Sequence, residues 1–191
     1  CIRDSTTTEQ NAADFFRSNK MKWKPVVIES TTELAKTFFA GRCDVLTSDA
    51  SQLAGTRAIS PKPQDYAILP EIISKEPLAP AVRHGDDQWR DIVDFSVLAM
   101  INAEEMGITS KNIDSMMKSS DPMVQRFVGA IEGNGKALGL SEKWAYNIIK
   151  KVGNYGEVFE RNVGVNTTLG IERGLNALWT NGGLMYSPPF K

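Results

Sequence analysis

From residue 1 to about 70, short β-branched runs alternate with longer stretches of helical period, the pattern of βαβ units around a parallel sheet. A first strand is predicted from Cys1 to Asp4. Ser5 and Thr6 then offer caps, and Thr6-Thr7-Thr8-Glu9 fits a capping box in which Glu9 reaches back to the N–H of the cap. Ala12, Phe15 and Phe16 give that helix its core face. Pro25-Val26-Val27-Ile28 reads as a second strand, and Ser30-Thr31-Thr32-Glu33 repeats the box ahead of Leu34, Ala35, Phe38 and Phe39. Gly41 stands where a helix of that length ends. Cys43-Asp44-Val45-Leu46-Thr47 predicts a third strand, and Ser48-Asp49 leads into a short helix ending near Arg57. Pro61 and Pro63 mark a loop, Tyr66 to Leu69 a fourth strand, and Ile72 to Pro80 a Pro-punctuated connection.

Past Ala81-Val82-Arg83 the pattern turns mainly helical. Trp89, Val93, Val97 and Met100 recur at i, i+4, i+8 and i+11, which predicts a long helix with those residues inward and Gly107 at its end. Shorter helices are expected near Asn112 to Met117 and Pro122 to Ile131. Another is expected from Ser141 with Trp144, Ile148 and Val152 on one face, and a last one carrying Ile171, Leu175 and Leu178. The expected class is therefore α/β, a parallel-sheet domain over residues 1–77 followed by a mainly helical segment over 78–191.

Composition excludes more than it selects. With 22 Lys and Arg against 23 Asp and Glu, the chain has no long-range field to draw nucleic acid or an anionic membrane. Apolar runs such as Phe95 to Ile101 are too short to span a bilayer. Cys1-Ile2-Arg3-Asp4 enters helix-start chemistry without a basic, apolar and small-residue leader, so the sequence is expected to begin inside a longer one. Cys1 and Cys43, the only cysteines, suit one disulfide in an exported protein or two plain thiols in the cytosol.

The turn Asp4-Ser5-Thr6-Thr7-Thr8 combines free N–H groups, the positive end of a helix dipole and several hydroxyls, the outline of a carboxylate or phosphate site. The alternative is a plain helix cap. Asp49, at the end of the third predicted strand, reaches the same edge of a parallel sheet, where open α/β sheets bind ligands. An anion site beside a fixed carboxylate suits a zwitterionic α-amino acid. Alternatively, Asp49 caps the helix that starts at Ala50. A catalytic reading finds one histidine, His84, no Gly-x-Ser-x-Gly elbow and no zinc motif. Gly133-Asn134-Gly135-Lys136-Ala137 fails as a phosphate loop, because Ala130 and Ala137 stand where Gly and Ser or Thr are needed. Neither a metal nor a cofactor is called for. Glu104-Glu105 reads as solvated surface charge.

STTTEQNAADFFR, AGRCDVLTSDASQLAG, ISKEPLAPAVRHGDDQW and KVGNYGEVFERNVG resemble the general L-amino-acid-binding proteins of bacterial ABC transporters, within the type II periplasmic binding proteins. The resemblance runs through essentially the whole chain. It implies the second lobe of a Venus-flytrap protein plus its C-terminal segment, with the first-lobe part lying ahead of Cys1 in the family. It also implies a periplasmic location, an L-amino-acid ligand, an ABC permease as partner with only peripheral contact to the membrane complex, and no enzymatic activity.

Carried over by position, Thr6 and Thr7 correspond to donors for the ligand α-carboxylate and Asp49 to the acid that holds the α-ammonium. Cysteines stand in the family where Cys1 and Cys43 stand, which implies a disulfide if their Cα atoms lie about 5.5 Å apart. Because the resemblance continues through Cys1, a lipid-modified start is not expected. Two departures are visible. Ser5 replaces a usual Gly, the residue that tolerates positive φ cheaply. Arg3 occupies a pocket-lining position that is uncharged in relatives, where it either meets an acidic ligand side chain or points to solvent or Asp4. A second reading of the whole is an interaction or scaffold protein with little ligand binding, self-associating through apolar surface that a first lobe would cover.

Overall fold

The computed structural model describes residues 1–75 and 77–190. Glu76, within the expected connection from Ile72 to Pro80, and Lys191 lie outside the described residues. The chain divides into two compact units, Cys1–Leu78 with Thr168–Ile171, and Ala79–Thr167 with Glu172–Lys191.

The first unit is built on a parallel pair, β1 (Ile2–Arg3) and β2 (Val27–Ile28), in register Ile2 with Val27 and Arg3 with Ile28. α1 (Thr7–Ser18) connects them, α2 (Thr31–Phe39) follows β2, and α3 (Ala50–Ala58) follows the segment from Cys43 to Thr47. That segment is not a strand. It lies beside β1 through two backbone hydrogen bonds, from the Cys1 nitrogen to the Val45 carbonyl and from the Thr47 N–H to the Cys1 carbonyl at 3.2 Å. This spacing is that of a parallel ladder one rung long. Tyr66 to Leu69 likewise forms no strand, and its Tyr66 ring rests on Phe38 and Phe39 at 5.4 and 5.2 Å. Both segments were expected as strands from their β propensity, but pairing needs a neighbour in register, which propensity does not supply.

Ile2, Ala12, Leu34 and Ala54 form the buried heart of this unit, and the Phe16 ring stacks on Trp23 at 4.8 Å. α1 and α2 both end in six-residue wraps that return two N–H groups to the last turn. Gly41 provides the left-handed residue after α2 at φ 74°. After α1 the same position is Lys20, at φ 54°. Only one other described non-glycine residue has positive φ, Ser5 at 53°.

The second unit is a helical cluster. α4 (Asp87–Glu105) is capped by Asp86, whose carboxylate accepts from the Trp89 N–H at 3.1 Å, and ends at Gly107 with φ 65°. α5 (Ile113–Met116), α6 (Pro122–Phe127), α7 (Trp144–Val152) and α8 (Tyr155–Asn162) follow. The core-facing stripe of α4 is Ile92, Phe95, Ala99 and Ala103, continued by Met106 after its end; of the predicted Trp89, Val93, Val97 and Met100, only Met100 packs against the core. Trp89 is 52% exposed. Both stripes have helical period; the choice between them follows from α7, which presents Trp144, Ala145 and Ile149 to that side. Ile171, Leu175 and Leu178 do not share a helix, because Gly170 and Gly174 adopt positive φ and leave only 3₁₀ turns at Gly174–Asn176 and Trp179–Asn181.

α8 carries a complete capping box, Asn154 accepting from the Glu157 N–H at 2.9 Å while Glu157 accepts from the Asn154 N–H at 2.9 Å. The Glu157 carboxylate also takes the Ser110 N–H at 2.9 Å and its hydroxyl at 2.6 Å, joining α8 to the turn after α4. Burial pushes the Glu157 carboxyl up, yet the Ser110 and Asn154 hydrogen bonds and the charge of Arg161 outweigh it and hold the group below its ordinary value. A depressed carboxyl stabilises the fold above its unfolded value, near 4.5, and that contribution disappears as pH falls through the lower folded value. Glu157→Gln is therefore expected to cost about 1–3 kcal/mol at pH 7 in urea unfolding, the gap to wild type closing toward pH 3. A gap independent of pH would contradict the assignment.

Candidate functional site

Three helices of the first unit start on one edge. α1 follows β1, α2 follows β2, and α3 follows the Cys43–Thr47 segment that lies parallel to β1. Thr6, Ser30 and Asp49, their N-cap residues, therefore all stand at the carboxyl edge of parallel extended chain. That is the ligand edge of an open α/β sheet, and the helix starts bring their positive dipole ends to it.

The first turn is organised by its own polar groups. The Glu9 carboxylate accepts from the Ser5 N–H at 2.9 Å, one residue ahead of the Thr6 cap to which the capping-box pattern had assigned it. Ser5 adopts φ 53°, the left-handed region that glycine fills without cost. The serine thus keeps the backbone shape that a glycine would adopt here. The Ser5 hydroxyl donates to Asp4 at 3.1 Å, and the Thr6 hydroxyl donates to the Arg3 carbonyl at 3.0 Å. Both hydroxyl protons are committed within the turn. The backbone N–H groups of Thr6, Thr7 and Thr8 and the exposed Thr7 hydroxyl have no acceptor among the described residues, which makes them the donors open to an anion.

Asp49 is half-buried and begins α3, but its side chain makes no capping hydrogen bond and no ion pair among the described residues. The plain capping role therefore does not consume its carboxylate. Arg3 is exposed, and its guanidinium pairs neither with Asp4 nor with any other described carboxylate. Among the described residues no group of His, Cys, Asp and Glu is placed to hold a metal ion. An open groove of about 700 Å³ in the same unit is lined by Arg57, Pro63, Tyr66, Ile68 and Thr168. None of the predicted site residues lines it; Thr6, Thr7 and Asp49 stand on a surface and not in a closed cavity.

Cys1 and Cys43 form a disulfide, with Cα atoms 5.5 Å apart. It ties the start of β1 to the start of the segment that leads to Asp49.

Sequence reasoning missed the polar groups that organise the second unit. Glu104, expected in solvent, accepts two hydrogen bonds from the Arg173 guanidinium at 3.0 and 3.1 Å, and Glu105 accepts from the Trp179 indole N–H at 3.0 Å. Partners so far apart in sequence leave no local signal. α8 did carry one, the Asn154-Tyr155-Gly156-Glu157 capping pattern.

The fold matches a solved ABC-transporter periplasmic binding protein from Brucella ovis with glutathione bound, at TM-score 0.93 and 50% identity, covering 99% of this chain and 60% of that one. In sequence, the chain is 52% identical over its whole length to the general L-amino acid-binding periplasmic protein AapJ of Rhizobium johnstonii, covering 57% of it. It is 50% identical to the putative amino-acid ABC transporter-binding protein YhdW of Escherichia coli K12, covering 56%. It is 51% identical to the glutamate/glutamine/aspartate/asparagine-binding protein BztA of Rhodobacter capsulatus, covering 57%. No family model matches the chain.

The parallel-sheet unit with helix starts gathered at one edge belongs to a fold that this chain shares with a periplasmic binding protein of the ABC-transporter type. The curated relatives it resembles are amino-acid-binding proteins of that type, and the chain spans somewhat more than half of their length. Among the described residues no helix is long and apolar enough to cross a membrane.

Proposed function

We propose that this chain carries the second-lobe half of the ligand site of an amino-acid ABC uptake system. The α1 start at Thr6 and Thr7 takes the α-carboxylate, and Asp49 takes the α-ammonium. The observation that carries the reading is the pairing of unsatisfied groups of opposite sign at one edge: N–H donors at Thr6 to Thr8 and an uncommitted carboxylate at Asp49. Ser5 shapes the turn, and Arg3 flanks it as an unpaired cation able to meet an acidic side chain. The names of the relatives support an amino-acid ligand, and glutathione, bound in the similar structure, also presents a free α-carboxylate and α-ammonium on its glutamyl end. The partner is the permease of the transporter, which would receive the ligand from the complete two-lobed protein.

This half-site is expected to bind weakly, since closure around the ligand draws donors from both lobes in the family. L-Glutamate titrated into the chain and followed by NMR should move the Thr7 and Thr8 amides with a millimolar-range Kd. Asp49→Asn should weaken binding by roughly tenfold or more, the scale of a lost charge-assisted hydrogen bond. Unchanged affinity in Asp49→Asn, or shifts located elsewhere, would refute the placement.

A further inference from the structure

We propose that the Cys1–Cys43 disulfide is a specificity-determining clamp that sets the spacing between the carboxylate and ammonium halves of the site. The inference rests on the amino-acid-binding reading above and adds to it a positioning role for Cys43. Cys1 lies five residues before Thr6 along β1, and Cys43 lies six before Asp49. The bridge therefore joins the two arms that carry the two charge-recognising elements, close to where both arms begin.

Little else holds the Asp49 arm in place. β2 pairs with β1 along a named register, whereas the Cys43–Thr47 segment is not a strand and, among the described residues, its backbone bonds toward this pair reach only Cys1, just ahead of β1, from Val45 and Thr47. Within that segment Asp44 and Val45 are exposed, Val45 at 61%, and Cys43, Leu46 and Thr47 are only half-buried, so no residue of it is anchored by full burial. Among the described residues the Asp49 side chain has no hydrogen-bond or ion-pair partner to fix it. By contrast, the Thr6 turn is held by the Glu9–Ser5, Ser5–Asp4 and Thr6–Arg3 hydrogen bonds, none of which involves the bridge. Opening the clamp thus leaves the carboxylate half intact and frees the ammonium half to drift. A zwitterion needs both at a fixed separation, and the loss falls on the group that Asp49 recognises.

The discriminating measurement is the ratio of affinities for L-glutamate and N-acetyl-L-glutamate, which lacks the ammonium. A partly unfolded population scales both apparent constants by the same factor, so the ratio reports site geometry and not stability. The oxidised chain should prefer glutamate by at least tenfold. The reduced, alkylated chain and Cys1→Ser/Cys43→Ser should still bind the N-acetyl compound at the Thr7 amides, with the preference reduced to threefold or less. Should those forms not fold, the two thiols can be joined by diiodomethane into an S–CH2–S bridge, which keeps the loop closed but lengthens the clamp; the preference should fall there too. A preference unchanged in every opened or lengthened form that binds would overturn the clamp while leaving the amino-acid reading standing. No preference in the oxidised chain would overturn the amino-acid reading itself, and the clamp with it.

Discussion

Arg173→Ala is expected to destabilise the helical unit by about 3 kcal/mol, seen as a lower urea midpoint by tryptophan fluorescence. Arg173 forms a two-pronged pair with Glu104 of α4 at 3.0 and 3.1 Å, and it also donates to the Asn176 carbonyl at 2.9 and 3.1 Å. Its guanidinium lies 5.3 Å from the centre of the Tyr155 ring and 5.2 Å from that of Phe159 on α8. Both members of the pair are about four-fifths shielded, with side-chain exposures of 19% and 18%, so removing one leaves the other charge in a poorly hydrated place. The same enclosure raises the Tyr155 phenol by burial, against the opposing pull of the Arg173 charge. Arg173→Lys should recover only part of the loss, since an ammonium cannot make the fork or lie flat on the rings. Arg173→Met with Glu104→Met should cost less than the sum of the two single changes, because no orphaned charge remains. Additive costs, or an Arg173→Ala loss below about 0.5 kcal/mol, would mean the pair is only a surface contact.

Removal of the disulfide should cost the first unit about 4 kcal/mol. Cys1 and Cys43 are separated by 42 residues, and closing a loop of that size restricts the unfolded chain by that amount in the loop-entropy account. The unit has few other reserves. Its strands are two residues each, and its fully enclosed apolar residues are Ile2, Ala12, Leu34 and Ala54. A loss of this size consumes a large share of an ordinary domain's stability, about 5–15 kcal/mol. Hydrogen exchange before and after reduction is the measurement. Protection at Asp4 and Thr47, whose N–H groups bond across the extended segments, should fall by two to three orders of magnitude on that scale. The amides of Ile108 and Ile149, in the cysteine-free helical cluster, should keep theirs. Equal protection in reduced and oxidised protein would show that the bridge adds nothing to folding.

Much of the local architecture could be read from residue order. The start of α2 follows from the Ser30 cap and the stops of α2 and α4 from glycines, because a helix end is decided by groups within four or five positions; the starts of α1 and α3 fall at the expected Thr6 and Asp49, though neither side chain caps its helix. The extended character of Ile2, Val27 and the Cys43–Thr47 run followed from β-branched composition in the same way. The residues of the proposed site, Thr6, Thr7 and Asp49, sit where extended chain turns into helix, a boundary that local chemistry marks. Resemblance supplied the pairing of Cys1 with Cys43, which composition left open.

What local order could not settle was every choice between alternatives of equal local merit. α4 carries two apolar stripes of helical period, and only packing against α7 selected Ile92, Phe95, Ala99 and Ala103 over Trp89, Val93 and Val97. Glu104 reads as a surface charge until Arg173, 69 residues later, is brought to it. Ser5 and Thr6 were legible as polar turn residues, but only the folded turn shows that their hydroxyl protons are spent internally and that the open donors are the backbone of Thr6 to Thr8. The sequence by itself determined where elements begin and end and which side chains stand at their junctions, since those depend on neighbours along the chain. The tertiary structure alone decided which faces are buried, which charges are paired and which polar groups are left free for a ligand, because those depend on contacts between residues far apart in sequence.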